Sequence, residues 1–117
     1  MFESLFTSLH AKKLELENVL IVGRDGLIIE RMHRLESDEL MTAECTSFFT
    51  DTDRLSREMD LGTTETLDLK YENKSFSLVR INEEYLVIGV YNSGAISGQI
   101  QFWLKQIAKK ASSIINQ

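Results

Sequence analysis

The stretch Gly94-Ala-Ile-Ser-Gly98 follows an apolar run and precedes a helical pattern in YLVIGVYNSGAISGQIQFWL. A strand, a glycine-bearing turn and a helix together can hold a phosphate, because backbone N–H groups and the helix dipole both attract an anion. A phosphate loop of the GxxxxGK[ST] kind also needs a lysine for the terminal phosphates and a hydroxyl for magnesium. Here Gly98 is followed by Gln99 and Ile100, and no GxGxxG pattern occurs. The glycines are therefore read as packing devices. Asn92 or Ser93 is expected to cap the helix, while Gly94, Ala95 and Gly98 let it approach the sheet. No cofactor is expected.

Other candidates for chemistry are sparse. His10 and His33 lie in separate segments with no cysteine or histidine at ligand spacing, so no metal site is expected. The one cysteine, Cys45, has no histidine nearby and falls on an apolar seam. It reads as a core or interface residue rather than a nucleophile. No set of acid, base and nucleophile can be assembled, so no catalytic residue is assigned and the protein is not expected to be an enzyme.

The elements that position these residues follow from periodicity. Phe2, Leu5, Phe6 and Leu9 recur at helical spacing and predict a short opening helix. Val19 to Val22 is an unbroken apolar run, Asp25-Gly26 is a tight-turn pair, and Leu27 to Ile29 returns, which makes a hairpin. From Ser37 the period changes. Met41, Cys45, Phe48, Thr52, Leu55 and Met59 form a helical seam, widened by Leu40 and Phe49, and Gly62 supplies a stop. Leu67, Leu69 and Tyr71 alternate with polar residues as a half-exposed strand. Ser75 to Ile81 forms the next strand. Tyr85 to Tyr91, apolar on both faces, should be central in the sheet. Ile96, Ile100, Leu104, Ile107, Ala111 and Ile114 run down one face of a final helix. Beside that stripe, Phe102 and Trp103 cannot both be central, and one of them is expected to be partly exposed. The fold class is α/β of the α+β type, in the order α-β-β-α-β-β-β-α, with helices on both faces of a five-stranded, mostly antiparallel sheet.

Composition bounds the function. The chain has 117 residues, 43% of them hydrophobic and 26% charged, which suits a single globular domain over 1–117. Thirteen basic against 18 acidic residues give a net charge of -5, which argues against a nucleic-acid binder. One cysteine permits no internal disulfide and suits a reducing cytoplasm. The opening residues do not read as a secretory signal, and no run approaches the roughly 20 apolar residues of a membrane span.

The element order, with VLIVGRDGLIIE early and YLVIGVYNSGAISGQIQFWLKQIAKKA late, resembles the Roadblock family, also called the dynein light-chain Roadblock domain, a profilin-like fold. The resemblance covers nearly the whole chain and rests on arrangement more than on a signature. It implies a homodimer, or a heterodimer with a paralogue, in which the helix Ser37 to Leu61 and the strand Thr64 to Tyr71 pair with their counterparts. The interface residues would be Met41, Cys45, Phe48, Thr52, Leu55, Met59, Leu67 and Leu69. The resemblance further implies a regulator, activator or scaffold of a Ras-like small GTPase; a dynein-type structural subunit or a small-ligand-sensing domain is the alternative. Arg24, Asp51, Arg54 and Arg57 form a possible partner surface. Arg24 is read as a solvated turn charge rather than an arginine finger, and Arg54 and Arg57, with Asp51, Asp53 and Glu58, line the polar side of the middle helix.

Overall fold

The computed structural model describes Phe6, residues 16–95 and residues 97–116. The expected opening helix and His10 lie outside the described residues, apart from Phe6, which is buried in the core. The described elements are β1 (Leu16–Gly23), β2 (Ile28–Arg31), α1 (Asp38–Met59), β3 (Thr66–Lys70), β4 (Lys74–Arg80), β5 (Tyr85–Asn92) and α2 (Ser97–Ile115).

The five strands form one sheet in the order β2-β1-β5-β4-β3, and every ladder is antiparallel. As expected from its apolar run, β5 is central, between β1 and β4. The register places Leu20 and Leu78 on either side of Ile88, and Ile21 and Val79 on either side of Val87. Successive residues point to opposite faces of a strand, so these two rows belong to two cores. Leu20, Leu78 and Ile88 pack under α1 with Cys45 and Phe49. Ile21, Val79 and Val87 pack under α2 with Ile100, Leu104, Ile107 and Ala111. Helices therefore cover both faces. Ile114 of the expected stripe is partly buried there too, and Ile96 lies outside the described residues.

Turn chemistry matches the sequence. Gly26 adopts φ +91° in the β1–β2 hairpin, where Gly23 N–H donates to the Leu27 carbonyl at 2.8 Å. The β4–β5 turn is held by Asn82, whose Oδ1 accepts from the N–H groups of Glu84 and Tyr85 at 2.8 and 2.9 Å. α1 ends one step earlier than Gly62 suggests. Asp60 takes the left-handed conformation (φ 55°), and Gly62 (φ +87°) follows in the loop.

The glycines in GAISG do not do what their sequence context suggests. A Cβ at Gly94 or Gly98 would meet nothing within 4 Å. The close approach of helix and sheet belongs instead to Gly89 in β5, where a Cβ would lie 2.7 Å from Leu104 Cδ1. Nor does Ser93 cap α2: its hydroxyl donates to the Tyr71 carbonyl and meets Ser75 Oγ, tying the end of β5 to the β3–β4 turn.

Candidate interaction site

α1 positions the candidate residues, and what decides its rotation is not its apolar seam. The residues it buries are Asp38, Thr42, Cys45, Thr46, Phe49, Asp53 and Ser56. Only Cys45 and Phe49 of these add apolar bulk to the core. Two buried carboxylates, about four turns apart on one stripe, anchor the helix at its two ends.

At the first anchor, Asp38 accepts from Asn18 Nδ2 (3.2 Å), Arg31 Nη1 (3.0 Å) and the Leu35 N–H (2.9 Å). Asn18, fully buried in β1, also donates to the His33 carbonyl and accepts the His33 N–H, so it holds the loop that enters α1. At the second, Asp53 receives Arg80 Nη2 on both oxygens (2.8 and 2.9 Å) and pairs with Arg24 Nη2 at 2.7 Å. Both guanidinium carbons sit over the Phe49 ring, 5.5 Å away for Arg24 and 5.2 Å for Arg80. Burial pushes the Asp53 carboxyl up, but hydrogen bonds from Thr64 and Arg80 and the charges of Arg80 and Arg24 outweigh it. The carboxyl is held below the usual range.

These anchors overturn two expectations. Arg24 is not a solvated turn charge, because its side chain is 24% exposed and tied to α1. Asp53 does not lie on a solvated face; it is 8% exposed. Sequence reasoning missed Arg80 and Asn18, since one sits at a strand end and the other at a strand start, with no spacing pattern to mark it.

With α1 so oriented, its apolar seam is split. Cys45 is 3% exposed in the core of its own chain, so it is not available to a partner, contrary to the expected interface. Burial, and then the charge of Glu44, push its thiol up to about 11, which suits an inert core residue. Phe48, Leu55 and Met59 are exposed on the flank of the helix, as are Leu40 in its first turn and Leu61 just past its end. Met41 and Thr52 are half-buried beside them. This flank borders β3, whose Leu67 and Leu69 pack partly against the core while Tyr71 is exposed. Between them lies an apolar cavity of about 210 Å³, lined by Leu40, Met41, Phe48, Leu69, Tyr71 and Phe76 among others. β3 is an edge strand that pairs only with β4 among the described residues.

The expected polar partner surface is also divided. Asp51 and Arg54 pair with each other at 3.1 Å on the outer face of α1, both more than half exposed. Arg24 and Arg57 line a separate cavity of about 570 Å³ at the end of α1, together with Arg80, Asp53 and Thr63. On the far side of the sheet Phe102 is exposed, and its ring meets Trp103 edge-on at 5.0 Å. Among the described residues, no group of His, Cys, Asp or Glu side chains could hold a metal, and no helix is long and apolar enough to cross a membrane.

No family model and no curated protein matches this sequence. Solved structures do match. Myxococcus xanthus MglB superposes with a TM-score of 0.85 at 9% identity, covering 98% of this chain and 94% of that one. The Roadblock/LC7 domain from Streptomyces avermitilis gives 0.84 at 10% identity, over 94% of both chains. An MglB with a tetrameric arrangement gives 0.83 at 14% identity, over 97% and 88%. The chain has the Roadblock/LC7 fold.

Proposed function

We propose that the protein self-associates through the exposed flank of α1 and the edge of β3, and that the assembly regulates or scaffolds a Ras-like small GTPase without catalysis of its own. The observation that carries this reading is the placement of Phe48, Leu55 and Met59, 39%, 50% and 61% exposed, beside a strand edge that is unpaired among the described residues. Exposed apolar side chains grouped in this way mark a contact surface, and an open edge strand is a liability that strand pairing removes. A two-fold contact would satisfy both at once. The seam then consists of Met41, Phe48, Thr52, Leu55, Met59, Leu67 and Leu69, without Cys45. The likeness to an MglB with a tetrameric arrangement supports assembly. The GTPase partner rests on the Roadblock resemblance, and a cytoplasmic setting rests on the single cysteine.

A ligand-sensing role has less support. The apolar cavity of about 210 Å³ is below the ~300 Å³ at which ligand pockets usually begin.

Two measurements test the proposal. In sedimentation equilibrium, Phe48→Asp should yield a monomer, because it puts a charge into an apolar seam. An unchanged mass for a folded variant removes the interface. A pull-down from the source cell's lysate, with a non-hydrolysable GTP analogue or with GDP, should retain a small GTPase preferentially with the analogue. Retention in both states would favour a scaffold. Retention of other proteins and no GTPase would favour the structural-subunit alternative.

A further inference from the structure

The apolar cavity beside α1 is a hole that its own chain leaves unfilled. Its apolar walls come from the first half of α1 (Leu40, Met41, Phe48), the end of β3 (Leu69, Tyr71) and Phe76 of β4. Water against these walls would find few hydrogen-bond partners. A cavity of ~150 Å³ takes one benzene ring, so about 210 Å³ takes one long side chain with little to spare.

The second half of the same helix is the opposite case. Leu55 and Met59 project from it exposed, and neither lines the hole. Met59 follows Met41 by about five turns, so the two point the same way from the helix. They stand about 27 Å apart along it, so Met59 cannot fill the hole in its own chain. One surface thus carries a hole at one end and a knob at the other.

We propose that the cavity receives Met59 of a second copy of this chain, which takes Met59 of the first copy in return. The inference rests on self-association through the α1 flank and the β3 edge. A two-fold contact that joins both must keep the two copies of α1 on one face of a joined sheet. Its axis is then perpendicular to the sheet and reverses strand and helix together. The lining of the hole sets the first half of α1 against the end of β3, and the 60–65 connection sets the end of α1 near the start of β3. Reversal therefore carries the second half of the other copy's α1 to the hole. Methionine suits an irregular hole, being unbranched with three rotatable bonds. Glu44 and Glu58, both exposed, would approach their counterparts only at the solvent rim, where like charges cost little and salt screens them. Met59 is then the side chain by which one copy fits another, so it sets the preference for self-pairing.

The test mixes full chain carrying ¹³C-labelled methionine methyls with an equal amount of unlabelled chain, at a concentration where sedimentation shows assembly. The expected result is an isotope-filtered nuclear Overhauser effect from the Met59 methyl to the ring protons of Tyr71 or Phe76 in the other copy. Within one chain that distance is far beyond the reach of the effect. Met59→Ala, at an exposed position in the last turn of α1, should fold and should weaken self-association about a hundredfold, because each dimer loses two knobs. Leu27→Ala, at a similarly exposed apolar residue in the β1–β2 turn, should leave it unchanged. Assembly without the contact, or a Met59→Ala variant that associates like the parent, overturns the seating of Met59 and leaves self-association standing. Equal weakening by Leu27→Ala reduces the effect to lost apolar surface and overturns it too. A parent that stays monomeric removes both readings.

Discussion

Gly89→Ala tests the packing of α2 on the sheet. The new methyl would sit 2.7 and 2.9 Å from the two Leu104 methyls and 3.3 Å from its Cγ. Carbon contacts are comfortable at about 3.5–4.0 Å, so something must move by roughly 1 Å. Leu104 cannot simply turn away, because both branches are close and the side chain is fully buried. Over-packing of this kind costs about 1–3 kcal/mol. Replacing glycine returns about 0.5 kcal/mol through the unfolded chain, so the net loss should be about 1.5 kcal/mol. Urea unfolding reads this as a midpoint lower by roughly 1 M at unchanged slope, given slopes of about 1–3 kcal/mol/M.

The contrast is Gly98→Ala, in the first turn of α2 with open space around it, which should stabilise by about 0.5 kcal/mol. The clash also predicts coupling: Leu104→Ala should cost less in the Gly89→Ala background than alone, by about 1 kcal/mol. If Gly89→Ala unfolds within about 0.5 kcal/mol of the parent, or Gly98→Ala is the costlier change, the helix does not rest on Gly89 and the argument fails.

Further outcomes follow from the anchors of α1. Asp53→Ala leaves two guanidinium groups facing each other over Phe49. With Arg24 24% exposed, the loss should be at the lower end for a broken buried pair, about 3 kcal/mol. Calorimetry should show a fall of roughly 10 °C, and a fall of only a degree or two would mean the cluster is not an anchor. Because the Asp53 carboxyl is depressed in the folded state, its contribution is present above the unfolded value of about 3.9 and is lost as pH falls through the folded one. Melting of the parent should therefore drop more steeply in that acid range than melting of Asp53→Asn, and parallel curves would refute the linkage. Cys45 should resist a disulfide reagent at neutral pH, since the buried thiol stays protonated up to about 11. Reaction at the rate of the unfolded chain would place it on the surface instead.

Much of the architecture is local in origin and was legible from residue order. The Val19–Val22 run and Tyr85–Tyr91, apolar on both faces, announce strands covered twice, and both occupy the middle of the sheet. Asp25-Gly26 announces the hairpin because glycine reaches positive φ without strain. The stripe from Ile100 to Ala111 announces the buried face of α2. In these cases the pattern and the packing ask for the same thing, so period alone suffices.

The rotation of α1 was not legible, and the candidate sites depend on it. Period marks Met41, Phe48, Leu55 and Met59 as a seam, but it cannot say that a sheet takes the neighbouring stripe. That choice belongs to Asp38 and Asp53, whose partners Asn18, Arg31, Arg24 and Arg80 lie up to some 30 residues away in sequence and meet them only in the folded chain. A buried carboxylate must find its cations, so it fixes the helix more strictly than an apolar side chain, which accepts any apolar wall. The same limit hid Gly89. A glycine in a strand is silent in sequence until the helix that crosses it is known, whereas Gly94 and Gly98 drew attention by their spacing and touch nothing. Sequence by itself determined the elements and their likeness to a known arrangement. Only the tertiary structure decided which face of α1 stays exposed, because that depends on charge pairs that no local pattern encodes.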